Sequence, residues 1–285
     1  MTIAFLGLGA MGARQAARLL GAGHVLTVWN RSSERVGALV SQGAQLADSP
    51  RDAADGAEIV IAMVRDDDAS RAVWTGSYGA IAGLGPTAVA VESSTLTVGW
   101  ARELGDLVGD GRFLDAPVVG SRPHAEAGAL TVLAGGEAAT LARARPALDA
   151  YAGAVHHVGA VGTATALKLA VNALFAVQAA ALAELLPTVA AAGVAPERAA
   201  ELLNAMPTAS PAAQRVASLM PERAFAPNFP IALVAKDLAY ATRAAGEAGV
   251  EASVLAATAG AFTKADARGF GGDDLIGIAQ LHAPG

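Results

Sequence analysis

The chain contains no cysteine in its 285 residues, which excludes a disulfide framework, a thiolate nucleophile and a cysteine-based zinc site. It is also poor in charge: 16% of residues are charged against 53% hydrophobic, with a net charge of -6. That balance suits a globular chain and gives no basic footprint for nucleic acid, which is not an expected partner. An uninterrupted membrane run is missing too. The most apolar stretch, Leu169 to Leu186, is broken by Asn172, Gln178 and Glu184, so it reads as a core helix, and no membrane is expected. The N-terminal MTIAFLGLGAMG has no basic n-region or cleavage pattern; a strand is expected there, and the cytoplasm as compartment. The histidines have no metal-ligand spacing, so a metal-free reaction is expected. Asp66, Asp67 and Asp68 diverge in direction and read as a solvated helix cap.

What is present begins with a glycine turn. Residues 2–6 form a short apolar strand, Gly7-Leu8-Gly9-Ala10-Met11-Gly12 turns into a helix, and Val25 to Asn30 is a second strand. This is a βαβ unit of about thirty residues. In it, Gly7 permits the tight turn, Gly9 lets the backbone approach a pyrophosphate, and Gly12 lets helix and strand pack closely. NAD selectivity needs a carboxylate at the end of the second strand, where this chain has Asn30-Arg31-Ser32-Ser33. A guanidinium and hydroxyls suit a 2′-phosphate, so NADP(H) is the expected cofactor with NAD(H) possible. The competing reading makes Arg31 a solvated loop arginine.

Strand and helix signals alternate onward, with a helix over 33–42 and others following, to a last strand at 155–158. This is an α/β pattern with a doubly wound, Rossmann-type sheet. After Gly162 the strand signals stop and the rest reads as helices punctuated by proline and glycine. The expected domains are an NAD(P)-binding domain at 1–161 and an all-helical domain for substrate and dimerisation at 162–285, joined by a long helix from Gly162 to Pro187. On that helix Thr165, Lys168 and Asn172 stand three and four residues apart, hence on one face. An ammonium is costly to bury without partners; proton transfer by Lys168 would explain it, and the competing reading is an interfacial lysine that snorkels between domains. The apolar, nearly uncharged helix suggests a homodimer.

Four segments in order, GLGAMG at 7–12, DAPVVGSRPHAEAGALTVLAGG at 115–136, GTATALKLAVN at 162–172 and KDLAYA at 236–241, resemble the β-hydroxyacid dehydrogenase family. That family includes 3-hydroxyisobutyrate dehydrogenases and glyoxylate or succinic semialdehyde reductases, and is related to 6-phosphogluconate dehydrogenase. The resemblance implies Lys168 as catalytic general acid and base, Asn172 as substrate-binding, and Lys236 near cofactor and substrate. It also implies cofactor contacts from Val64, Arg65 and Thr95, although Arg65 replaces the usual proline. The substrate loop departs from the family's Ser-Gly-Gly: here Val119, Gly120, Ser121 and Arg122 follow Asp-Ala-Pro-Val. Arg122 either clamps a larger or second anionic group or points into solvent, and His124 in the same loop is a candidate functional histidine. The implied activity is hydride exchange between a nicotinamide and a small anionic carbonyl compound or hydroxy acid. Imine reduction on the same architecture and a nucleotide-binding sensor without turnover are the alternatives.

Overall fold

Short strands that are apolar on both faces need helices on both sides of a parallel sheet. A computed structural model, which describes residues 1–32 and 36–282, shows two compact units, Met1–Lys168 and Leu169–Gly285. The first unit runs β1 (Thr2–Leu6), α1 (Gly12–Gly21), β2 (Val25–Trp29), α2 (Gly37–Ser41), β3 (Gln45–Leu46), α3 (Pro50–Ala54), β4 (Ile59–Ala62), α4 (Asp67–Trp74), β5 (Val89–Glu92), α5 (Val98–Val108), β6 (Phe113–Asp115), β7 (Val118–Val119), α6 (Arg122–Ala127), β8 (Leu130–Gly136), α7 (Ala138–Leu148) and β9 (Ala152–Gly159). The sheet order is β3-β2-β1-β4-β5-β6-β8-β7, with β9 also on β8. The pairs from β3 to β6 are parallel, whereas β8 runs antiparallel to β6 and β7 and parallel to β9.

Residue alternation sorts the core into two layers. Ile3, Phe5, Ile59, Ile61, Val89, Val91 and Leu114 pack on one face with Leu19 and Tyr151. Ala4, Leu6, Val60, Ala62, Ala90 and Phe113 pack on the other with Trp74 and Trp100. Glu92 and Asp115 are paired in register at the ends of β5 and β6. By the same alternation both carboxylates project into the second layer.

The second unit is helical. Helix α8 (Thr163–Ala191) begins in the first unit and continues into the second, followed by α9 (Pro196–Asn204), α10 (Pro211–Glu222), α11 (Ile231–Glu247), α12 (Ser253–Ala265) and a 3-10 segment at Leu275–His282. Helix α8 does not stop at Pro187 as expected from sequence. Proline removes one intrahelical donor, and Thr188 Oγ1 donates to the Glu184 carbonyl at 2.7 Å in that turn. Length and composition alone would let α8 cross a membrane, yet Thr165, Lys168 and Asn172 are buried along one side of it. The helix expected over 33–42 is seen from Gly37; Ser33 lies outside the described residues.

Candidate active site

The glycine turn is shaped by close approach. A Cβ on Gly7, whose φ is +97°, would lie 2.4 Å from the Met63 carbonyl oxygen, and one on Gly12 would lie 2.0 Å from that of Gly7. A Cβ on Gly9 would meet nothing within 4 Å. No side chain caps α1, and its first turn holds no acid. The helix N-terminus with its positive dipole end therefore faces open space across Gly9, which fits the pyrophosphate of a dinucleotide. Asn30 fastens the turn to the end of β2: its Oδ1 accepts from Leu8 N at 2.8 Å and its Nδ2 donates to the Ser32 carbonyl at 2.8 Å. Arg31, Ser32 and Ala10 are exposed, Met11 half-buried. Asn30 thus shapes this corner, and Arg31 and Ser32 supply the exposed polar groups.

The ends of β4 and β5 are held together from below. Glu92 is buried; its Oε2 accepts from Ser70 Oγ at 2.6 Å and Trp74 Nε1 at 2.8 Å, and its Oε1 from Ser94 N at 2.9 Å. Ser94 Oγ in turn accepts from Val64 N at 2.7 Å. Desolvation pushes the Glu92 carboxyl above the usual carboxylate range, against these hydrogen bonds. Asp67 adds a second latch, accepting from Thr97 N at 2.9 Å and Thr97 Oγ1 at 2.6 Å. Asp66 caps α4 through Ala69 N at 2.9 Å and pairs with Arg65 at 2.7 Å. Of the three acids read as a solvated cap, only Asp66 caps the helix, Asp67 ties the start of α4 to the start of α5, and Asp68 is exposed. Val64 and Thr95 are half-buried while Arg65 is exposed.

At the end of β6, the Asp115 carboxylate accepts from Gly162 N at 3.0 Å and Thr165 N at 2.8 Å, filling the N-terminus of α8. One turn on from Gly162–Thr165 comes Lys168, only 7% exposed. Lysine occurs in this chain only at 168, 236 and 264, the other cationic residues being arginine. Arginine cannot be deprotonated in a protein. Lys168 is thus a buried cation that, unlike the arginines used nearly everywhere else in the chain, is chemically able to release and take back a proton.

The segment read as a substrate loop is partly helical, because Ser121 and His124 close a capping box at the start of α6. His124 Nδ1 lies 3.1 Å from Ser121 Oγ, so this histidine helps to cap the helix. Val119 is half-buried, and Gly120 sits at φ +131° with no room for a Cβ beside Leu130. Arg122 is half-buried and its Nε is buried without a hydrogen-bond partner. An orphaned donor on a cation is costly, and it fits an anionic ligand.

Within the second unit, Asn172 Nδ2 donates to Asp237 Oδ2 at 2.6 Å, and Lys236 Nζ lies 2.9 Å from Asp237 Oδ1. The Lys236 ammonium also stands over the Tyr240 ring at 4.8 Å. A carboxylate only accepts, so Asp237 fixes which way the Asn172 amide faces. Among the described residues, no group of three or more His, Asp or Glu is placed to hold a metal ion.

Comparison with known proteins identifies the family. Residues 2–159 match the family model for the NAD binding domain of 6-phosphogluconate dehydrogenase, and residues 162–282 that for the NAD-binding region of NADP-dependent 3-hydroxyisobutyrate dehydrogenase. A probable 3-hydroxyisobutyrate dehydrogenase of Mycobacterium tuberculosis is 33% identical over 92% of both chains. The chain belongs to the β-hydroxyacid dehydrogenase family. Another β-hydroxyacid dehydrogenase relative, the NAD-dependent L-serine dehydrogenase of Pseudomonas aeruginosa, is 33% identical over 85% of both chains. The solved structure of Mycobacterium tuberculosis 3-hydroxyisobutyrate dehydrogenase with L-serine superimposes with a TM-score of 0.91, at 30% identity over 99% of both chains.

As a member of that family the protein is an NAD(P)-dependent oxidoreductase. Among the described residues four buried acids, Glu92, Asp115, Asp237 and Asp274, have no functional role assigned from the sequence. The first two carry one legible signal: each ends an otherwise apolar parallel strand, VAVE and FLD. An acid at that place is either solvated or holding something.

Proposed function

We propose that the protein is an NADP(H)-preferring dehydrogenase or reductase of a small anionic carbonyl compound and its hydroxy acid, with Lys168 as general acid and base. The buried lysine on α8, in a chain otherwise reliant on arginine, carries this reading. The nicotinamide cofactor supplies or accepts the hydride. Lys168 Nζ gives its proton to the oxygen that becomes a hydroxyl during reduction and takes it back during oxidation. Asn172, oriented by Asp237, holds the substrate's hydroxyl or carboxylate without adding charge. The Gly7–Gly12 turn takes the pyrophosphate; Arg31 and Ser32 take the 2′-phosphate; Val64, Arg65, Thr95 and Lys236 line the remainder of the cofactor's course. NAD(H) remains usable but less favoured, because Asn30-Arg31-Ser32-Ser33 offers no carboxylate to hold its ribose.

Arg122, with Ser121, Gly120 and Val119, receives the substrate's anionic group; its orphaned Nε supports that assignment. The relatives named for 3-hydroxyisobutyrate and for L-serine point to a small 3-hydroxy acid or its semialdehyde. We assign the protein to the cytoplasm, and to a homodimer: Leu167, Leu174 and Leu185 are exposed along one stripe of α8.

The deciding experiment measures NADPH oxidation against aldehydes, semialdehydes, keto acids and cyclic imines, with Lys168→Ala as control. Turnover on a semialdehyde or keto acid that drops at least about 1000-fold in the variant supports the reading. Turnover on imines alone, or unchanged turnover in Lys168→Ala, overturns it. Tight NADPH binding with no turnover on the whole panel makes the protein a sensor. Arg31→Ala is expected to erase a preference for NADPH over NADH of about tenfold or more in kcat/KM, the scale of a charged hydrogen bond. Arg122→Ala is expected to raise KM for an anionic substrate by a similar factor, with kcat little changed.

A further inference from the structure

The strand-end carboxylate of Asp115 reaches across 47 and 50 residues of sequence to take two amides at the start of α8, those of Gly162 and Thr165. The Thr165 hydroxyl donates to it as well. Helix caps are ordinarily local, from a residue flanking the first turn. This one comes from another element and is buried at 1% exposure. The neighbouring strand is kept bare to admit it: a Cβ on Gly135 would lie 2.2 Å from Asp115 Oδ1 and 2.8 Å from the Ala160 carbonyl oxygen. Burial raises the Asp115 carboxyl above its usual range despite these hydrogen bonds, so the arrangement works against desolvation. An exposed serine or threonine cap would satisfy the same amides without that cost.

What the buried cap adds is placement. Thr165 precedes Lys168 by three residues and stacks on the same helix face, so a clamp on Thr165 fixes the turn from which the lysine projects. We propose that Asp115 is the positioning residue of Lys168, locking the first turn of α8 to the end of β6 so that the ammonium group stands at one fixed point. This rests on the assignment of Lys168 as proton donor given above. Asp115 acts through the helix and donates no proton to the substrate.

The test combines two readouts on Asp115→Ala, Asp115→Asn and Gly135→Ala in the full chain. Asp115→Ala is expected to lower kcat about 100-fold, the penalty for a small misplacement of a reacting group, while the NADPH dissociation constant stays within about twofold. Asp115→Asn, which keeps one acceptor oxygen, should lose about tenfold. Gly135→Ala, which keeps the charge but displaces the carboxylate, should also lower kcat with NADPH binding intact. Hydrogen exchange of the amides from Gly162 to Lys168 should accelerate in all three and leave β1 and β4 protected. Unchanged kcat in Asp115→Ala or Gly135→Ala overturns the proposal, and so does NADPH affinity falling in step with kcat, which would mark a general structural role. Should Asp115→Ala not fold, the other two variants carry the test. Should the wild type turn over nothing on the substrate panel, the assigned function fails, and exchange alone decides the anchor: unchanged exchange at the start of α8 removes it.

Discussion

Helices α1 and α8 each follow a strand of the same sheet, β1 and β9, and their N-termini are treated in opposite ways. Helix α8 has its first amides filled by the chain's own carboxylate, Asp115. Helix α1 has no side-chain cap and no acid in its first turn, with open space beside Gly9. Since each helix start attracts an anion equally well, the difference lies in who supplies it. Where the protein supplies it, the helix is anchored. Where it withholds it, the helix start is left open, as the proposed binding of the cofactor's phosphates there requires.

The strongest way to break that contrast is to close the open end. Gly9→Asp adds a carboxylate where a Cβ has no neighbour within 4 Å, so the fold should survive. The NADPH dissociation constant should rise about 100-fold, or about 2.8 kcal/mol, with little change in melting temperature. Unaltered binding in a fluorescence titration would show that the phosphates lie elsewhere.

A smaller effect is expected at Glu92, the other buried acid at a strand end of this sheet. Its folded pKa is raised by desolvation, so the folded protein holds this proton more tightly than the unfolded chain does. Its contribution to stability is therefore full below the unfolded pKa of about 4.3 and is lost as pH rises through the raised folded value. Glu92→Gln cannot titrate. The melting temperature of wild type minus variant should decline between pH 4 and pH 8, by about 2–4 °C for each kcal/mol of linkage. A pH-independent difference in calorimetry would mean that Glu92 is ionised at an ordinary pKa. The variant also misplaces a donor against Ser94 N, so NADPH affinity should weaken through the Val64 loop that Ser94 holds.

The least effect belongs to Glu126, which pairs with Arg14 at 2.7 Å between α6 and α1 with both side chains substantially exposed. Glu126→Ala should shift melting by less than about 2 °C, since exposed ion pairs contribute little. A larger shift would mean that the open helix start depends on α6 for its position.

The sequence made the repeating architecture readable because periodicity and glycine spacing are local. β1, the glycine turn, β2 and the long run of α8 all follow from neighbours within one or two turns. The turn is legible from its glycine spacing, and Gly12 is needed for a contact with Gly7 close by, whereas the Met63 carbonyl that keeps Gly7 bare comes from another strand end. What stayed hidden depends on partners far along the chain. Asp115 has its amides 47 and 50 residues away, and Glu92 meets Trp74 from a different element. Asp237 reaches Asn172 across 65 residues. Helix α6 escaped notice because six residues entered through Gly-Ser carry too little periodicity to separate from a loop. The run through Pro187 was hidden because proline in a helix is a local penalty that the rest of a 29-residue helix can absorb.

The register of Glu92 beside Asp115 has a consequence for how the sheet finds its alignment. Successive residues of a strand face opposite ways, so a slip of one position between β5 and β6 would turn one of these acids toward Leu19, Val89 and Leu148. A carboxylate there would have no donor, at a cost larger than that of most misplaced methyl groups. The two acids therefore favour the observed alignment over the slipped one. They make the wrong alignment of this strand pair expensive before any cofactor or substrate has been met.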